Sequence, residues 1–208
     1  EISMSLDGFV AGPDPTLEEP LGRNGDSLHE WVLPTRAWRE AHGLEGGEDN
    51  EESEMVREGI ASVGASVMGR KMFSGGSGPW ESDPRSHGWW GDEPPYHVPV
   101  FVLTHHAREP LVMKGGTTSH FVTDGIDSAV KQAISAANGK DVRVGGGVAT
   151  VRQLLSASRI DDMHLALRPV LLGGGEPLFQ GLDMHALGYR CDKVIPGERA
   201  THMFLRRA

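Results

Sequence analysis

The chain has 208 residues, 38% of them hydrophobic and 24% charged, which suits one domain of generous size around a filled core. Its formal net charge of −9 argues against a nucleic-acid or anionic-membrane surface, which would repel it overall, and no apolar run approaches the ~20 residues that span a bilayer. The lone Cys191 excludes intrachain disulfides and multi-cysteine zinc sites, and the ten histidines include no His-Glu-x-x-His, so no metal site is expected. A cytoplasmic protein is expected.

Glu1 opens directly inside a strand-like run, so a start methionine and a few residues are expected to be missing, and no secretory segment is visible. The first run, Ser3-Met-Ser-Leu-Asp-Gly-Phe-Val-Ala11, holds Asp7-Gly8, which either contacts a substrate N–H or makes a turn. Residues 12–53 form the first of two Gly/Pro-rich stretches, and residues 74–97 the second. Both are too long for ordinary connections, and such loops are often lids or binding loops. All five tryptophans fall within them, either anchoring the loops to the body or lining a flat ligand; Trp31 and Trp80 are the substrate-side candidates.

Between and after these stretches strands and helices alternate. A helix is predicted over Ser53–Val63, with Met55, Val56, Gly59, Ile60 and Val63 inward and Glu54, Arg57 and Glu58 outward. Short strands are predicted over Ser66–Gly69, Pro99–Thr104 and Phe121–Thr123. The clearest helix is Ile126–Ala137, with Asp124 as N-cap and Asn138-Gly139 as the stop. A strand over 142–144, a glycine run, a helix through Val151, Leu154 and Leu155, and a long strand over Met163–Leu172 follow. Leu172-Gly-Gly-Gly175 reads as a flexible crossover, and Leu187–Ile195 with Thr201–Arg206 as a closing antiparallel hairpin. The order predicts an α/β fold: a mostly parallel central sheet of about eight strands, an antiparallel C-terminal hairpin and helices on both faces.

Three segments after strands carry candidate chemistry. Gly145-Gly-Gly147 leads into a helix, where unpaired N–H groups and the helix dipole favour phosphate, unless the glycines only make a tight turn. It is neither the Rossmann fingerprint nor a P-loop: Thr150 stands where the third glycine belongs, and no Gly-Lys-Ser/Thr follows. Gly69-Arg-Lys71 places two cations at a strand end, either clamping a phosphate or simply solvated. Thr104-His105, with His106 and Arg108 after them, ends the next strand and either holds a 2′-phosphate or adenine or makes a polar loop.

Taken together, Met4-Ser-Leu-Asp-Gly-Phe-Val-Ala11, Val67-Met-Gly-Arg-Lys71, Pro99–Thr104, Gly145–Gly147 and Ile160-Asp-Asp-Met-His-Leu-Ala-Leu-Arg-Pro-Val-Leu-Leu-Gly-Gly174 resemble the dihydrofolate-reductase-like fold. The match is to stand-alone relatives of the C-terminal reductase domain of the bifunctional riboflavin-biosynthesis deaminase/reductase. It covers nearly the whole chain, read as one domain over 1–208 outside the two insertions. The resemblance implies an NADPH-dependent reductase of a small heterocyclic C=N or C=O substrate, working as a homodimer. It implies nicotinamide near Val10, Ala11 and Gly12, the 2′-phosphoadenosine end near Gly69, Arg70, Lys71, Thr104 and His105, and the pyrophosphate at Gly145, Gly146, Gly147, Val148, Ala149 and Thr150. Substrate would meet Asp7, Trp31 and Trp80.

The departures from that family are specific. No zinc-deaminase motif is present. Met72-Phe-Ser-Gly-Gly-Ser-Gly-Pro-Trp80 stands where the riboflavin enzyme carries its ribose-phosphate stretch, and Gly145 where it carries a substrate-binding Glu. The acid that holds pterin in dihydrofolate reductases has only loose counterparts, Glu54 and Glu58, and neither is assigned a role. A non-catalytic NADP(H)-binding or sensor module on the same fold is the alternative.

Overall fold

A computed structural model describes residues 1–208. In chain order the elements are β1 (Ile2–Ser5), α1 (Arg36–Ala41), α2 (Glu51–Ser62), β2 (Val63–Gly69), α3 (Arg70–Ser74), β3 (Pro99–Leu103), β4 (Leu111–Val112), β5 (Thr118–Val122), α4 (Ile126–Ala136), β6 (Asp141–Val144), α5 (Val148–Ser156), β7 (Asp162–Arg168), β8 (Tyr189–Pro196) and β9 (Thr201–Arg207). The chain divides into two compact units. A terminal unit comprises Glu1–Arg57 and Arg152–Ala208, and a mid-chain unit comprises Glu58–Val151. No helix is long and apolar enough to cross a membrane.

Each unit carries its own sheet, which corrects the expected single sheet of about eight strands. The mid-chain sheet has five strands in the order β4-β5-β3-β2-β6, and the terminal sheet has four in the order β1-β7-β9-β8. Hydrophobic alternation marks a strand but not its partner. The β1 strand pairs in parallel with β7, Ile2 opposite Leu165, a pairing between the two ends of the sequence. The predicted closing hairpin is present, with β8 and β9 antiparallel and a register irregularity between Cys191 and Lys193.

In the mid-chain unit, β2, β3, β5 and β6 are parallel and only the two-residue β4 runs against β5. Successive side chains of a strand point to opposite faces, and two cores result. Ala65, Val67 and Phe101 pack with Ala129, Ala133 and Ala137 of α4 and the residue that follows it. Met68, Val100 and Val102 pack with Phe73 and Trp80. The small alanine face of α4 lets the helix approach the sheet closely, while Ile134 is left 61% exposed. The N-cap of α4 is Gly125 rather than Asp124. The turn there needs φ 103°, ψ 173°, which glycine adopts without a Cβ penalty.

In the terminal unit, β7 stops at Arg168 rather than Leu172, since Pro169 has no N–H for a ladder. Arg168 is buried. Its Nε donates to the Ser27 carbonyl at 3.0 Å, one Nη to Glu30 at 2.8 Å, and the other to the Arg199 carbonyl. Residues 12–53 are thereby fastened to the sheet by a guanidinium, and Trp31 fixes them from within. The inward side of α2 also differs from the predicted stripe: Ile60 is 40% exposed, whereas Glu52 and Ser53 are buried. Both buried polar groups have partners, Ser53 Oγ accepting from Ala37 N at 3.1 Å and Glu52 Oε1 lying 3.2 Å from His202 Nε2.

That contact continues as a relay. His202 Nδ1 lies 3.0 Å from His164 Nε2, and the His164 ring stacks on Phe204 with centroids 4.4 Å apart. The His202 ring thus bridges Glu52 and His164 through its two nitrogens. Burial pushes the His164 pKa from 6.5 down to about 4, with the Glu1 carboxylate opposing it and His202 adding to it. The unfolded chain therefore binds a proton at His164 that the folded chain refuses. The resulting stability is complete above pH 6.5 and is lost as pH falls through about 4, a total of about 3 kcal/mol. Urea unfolding from pH 7 to pH 4 should show this loss, and His164→Gln, which cannot titrate, should flatten it; an unchanged slope would remove His164 as its source.

Candidate functional site

The glycine turn is built by the mid-chain sheet. β6 lies beside β2 with Val144 opposite Val67, so the turn after β6 stands next to the end of β2. Gly145 N donates to the Val67 carbonyl at 2.8 Å, and Gly69 N to the Gly146 carbonyl at 2.9 Å. This pins the turn on both sides. Gly146 sits at φ 112°, where an L side chain would be strained. The first turn of α5 closes on Gly147, whose carbonyl accepts from Thr150 N at 3.0 Å and Val151 N at 3.2 Å.

The N–H groups of Gly146, Gly147, Val148 and Ala149 have no acceptor within the chain. Four unpaired donors at the positive end of a nine-residue helix have the geometry and partial charge that suit an anion. Thr150 is 7% exposed, and a Cβ on Gly69 would lie 2.6 Å from its Oγ1. Its side chain fills the space beside β2 rather than facing a ligand.

The strand-end cations prove unequal. Arg70 is 7% exposed, with one Nη bonded to the Ser74 hydroxyl and the other to the Asp83 carboxylate. Its guanidinium lies 3.6 Å from the Trp80 ring centroid. Asp83 also accepts from Ser74 Oγ at 2.7 Å and from Arg85 N at 2.9 Å. Burial pushes the Asp83 pKa up, but the bonds from Ser74, Arg70 and the Arg85 amide outweigh it and hold the carboxyl below its ordinary value. Arg70 is therefore not presented as a phosphate clamp, because a carboxylate of the same chain already holds it. Lys71 and His105 are exposed, which leaves them as the cation and imidazole of this rim. Thr104 is buried and its Oγ1 accepts from His106 N at 3.1 Å, closing the turn that presents His105.

The three substrate-side candidates all serve the chain itself. Trp80 is 8% exposed and donates from Nε1 to the His106 carbonyl at 2.7 Å. Trp31 is fully buried among Val32, Ala37, Val56, Ala166 and Ala200, donates from Nε1 to Ser3 Oγ at 2.9 Å, and meets the His202 ring edge-on at 4.8 Å. Neither indole offers a face to a ligand, so both are anchors. Asp7 is exposed, but its carboxylate accepts from Ser5 Oγ at 2.6 Å, Leu172 N at 3.2 Å and Gly173 N at 2.7 Å. The Ser5 hydroxyl and these amides hold its pKa below the ordinary value.

The glycine run that Asp7 grips is flanked by backbone hydrogen bonds to the loop after β1. Val10 N donates to the Glu176 carbonyl at 3.0 Å, Glu176 N to the Ala11 carbonyl at 3.0 Å, and Leu178 N to the Gly8 carbonyl at 3.1 Å. Gly12 is buried, with its N–H on the Leu21 carbonyl at 2.7 Å. The Ala11 N–H and the Val10 carbonyl remain without a partner in the chain. Sequence patterns missed Asp83, Glu52 and the His164–His202 pair: each is a polar residue buried by a distant partner, and no local periodicity signals that.

The arrangement has relatives. A crystal structure of a Shewanella sp. PV-4 protein assigned to riboflavin biosynthesis superimposes with a TM-score of 0.61 at 21% identity, over 100% of this chain and 96% of that one. A Thermotoga maritima diaminohydroxyphosphoribosylaminopyrimidine deaminase/5-amino-6-(5-phosphoribosylamino)uracil reductase gives 0.56 at 13% identity, over 100% of this chain but only 55% of that one. The dihydrofolate reductase of Enterococcus faecalis, solved with NADP(H) and RAB-propyl, gives 0.50 at 14% identity over 98% and 92%. At these identities the likeness establishes the α/β, dihydrofolate-reductase-like fold. No curated protein sequence matches significantly. The model of the RibD C-terminal domain, in contrast, matches residues 1–202. With that match running through both units, the chain belongs to the RibD C-terminal domain family.

Proposed function

We propose that the protein is an NADPH-dependent reductase, of the type of 5-amino-6-(5-phosphoribosylamino)uracil reductase, that reduces a C=N or C=O bond of a small heterocycle. The observation that carries this reading is the set of four unpaired N–H groups over Gly146–Ala149, which fits a dinucleotide's pyrophosphate. The exposed Lys71 and His105 follow the ends of neighbouring parallel strands, Gly69 opposite Leu103, and are the groups left to meet a 2′-phosphate. In the terminal unit, the free Ala11 N–H and Val10 carbonyl suit a carboxamide, which needs one donor and one acceptor. The bound cofactor would supply the hydride. The chain's own part is to bind and orient, since positioning dominates such a transfer. A cytoplasmic homodimer is part of the same reading.

Calorimetric titration with NADPH and NADH tests the cofactor, and loss of NADPH absorbance across a panel of heterocyclic imines and carbonyls tests the reaction. NADPH binding with turnover of one panel member is expected. Absence of binding by either dinucleotide would end the reading. The internal roles of Trp31, Trp80 and Asp7 favour the second reading, a non-catalytic NADP(H)-binding module, and binding without turnover across the panel would select it.

A further inference from the structure

Arg70 begins α3 immediately after β2, on the rim that also carries Lys71 and His105. It is the best-fixed cation there, held between the Trp80 face, the Ser74 hydroxyl and the Asp83 carboxylate. Asp83 comes from the segment over 74–97, and its side chain is 3% exposed. A carboxylate, like a phosphate, offers anionic oxygens to the N–H groups of a guanidinium, so Asp83 occupies a position that a phosphate ligand of Arg70 would take.

We infer that Asp83 is an internal anion that takes Arg70 out of cofactor recognition, so that Asp83 limits the protein's preference for a phosphorylated over an unphosphorylated dinucleotide. The inference rests on the proposed nicotinamide-cofactor reading and adds a selectivity-determining residue to it.

The surrounding charges support this assignment. Arg108 brings a second guanidinium to the same indole, 4.7 Å from the Trp80 centroid and 4.9 Å from that of Phe121. Its pKa is lowered by burial first and by the Arg70 charge second, with Asp83 and Glu81 opposing. Arg70 Nε is buried and has no partner. Asp83 thus pairs directly with Arg70, while Arg108, bonded to the Ser86 carbonyl at 2.7 Å, adds a second positive charge nearby. An incoming phosphate must displace that carboxylate, which leaves a buried acid unpaired, or bind elsewhere on the rim. Removing the carboxylate's charge leaves the arginines in excess, and an anion restores the balance.

The test is titration of NADPH and NADH into the wild-type protein, Asp83→Asn and the double variant Arg70→Gln/Asp83→Asn, with thermal melting as the check on folding. Asp83→Asn keeps one acceptor oxygen. It should tighten NADPH by roughly five- to ten-fold and leave NADH within about two-fold. The double variant removes a charge pair of zero net charge, so its NADPH-to-NADH ratio should stay within about two-fold of wild type.

A folded Asp83→Asn protein with an unchanged or lower ratio overturns the inference while the cofactor reading stands. A selective loss of NADPH of more than about five-fold in the double variant also overturns it, by showing that Arg70 reads the phosphate in the native protein. The double variant alone decides the matter if Asp83→Asn does not fold. A wild-type protein that binds neither dinucleotide removes the cofactor reading and this inference together, an outcome distinct from both of the others.

Discussion

Gly147→Asp should weaken NADPH binding by about 100-fold, close to 3 kcal/mol, without lowering the melting temperature. The position separates binding from folding. A Cβ there meets nothing within 4 Å, and Gly147 is not among the residues at positive φ, so a side chain enters without strain. The new carboxylate would stand among the unpaired donors of Gly146–Ala149. There it competes for the same N–H groups and repels the pyrophosphate, an effect of about 4 kcal/mol for unit charges some 4 Å apart at a surface-like dielectric. Gly147→Ala is the steric control and should change affinity less than about three-fold. Calorimetry on both variants decides it: equal, small effects of Ala and Asp would show that the pyrophosphate does not sit on this helix end.

The second large effect concerns Trp31, which the loop position offered as a ligand contact and the tertiary structure buries. Trp31→Ala should cost about 3–5 kcal/mol of stability, the usual loss for an aromatic side chain removed from a packed core. It opens a cavity among Val32, Ala37, Val56, Ala166 and Ala200 and strips the Ser3 hydroxyl of its indole donor. Trp31→Phe, which retains most of the apolar contact but not the Nε1 donor, should cost about 1–3 kcal/mol, the loss of one buried hydrogen bond with some packing volume. Urea unfolding of both variants measures this. A loss under about 1 kcal/mol for the alanine variant, with a raised KM for the eventual substrate, would return Trp31 to a ligand-facing role.

The parts of the fold legible in sequence are those set by local pattern. The α4 helix announces itself by apolar residues at helical spacing and is found over Ile126–Ala136. The closing hairpin is read from two strand-like segments, Leu187–Ile195 and Thr201–Arg206, and is found as β8 and β9. The glycine turn before α5 is visible because its chemistry is backbone chemistry, and glycine declares the backbone it permits. Arg70, Asp7, Trp31 and Trp80 are a different case. A charged or aromatic residue in a loop has the same signature whether it faces a ligand or a distant part of its own chain. Arg70 is held by a residue thirteen positions away, and Asp7 by amides at 172 and 173.

Sequence by itself determined where most of the longer strands and helices run, that their order is α/β, that a glycine turn leads into α5, and that the chain resembles a known reductase domain. Those properties follow from periodicity, glycine backbone freedom and short motifs, all readable within a few residues. Only the tertiary structure decided that the strands form two ladders, that Asp83 neutralises Arg70, that Glu52 and His202 are buried together, and that Trp31 is core. Burial and pairing of polar groups depend on which distant residue desolvates them and supplies the matching donor or charge, and that partner is chosen by the fold.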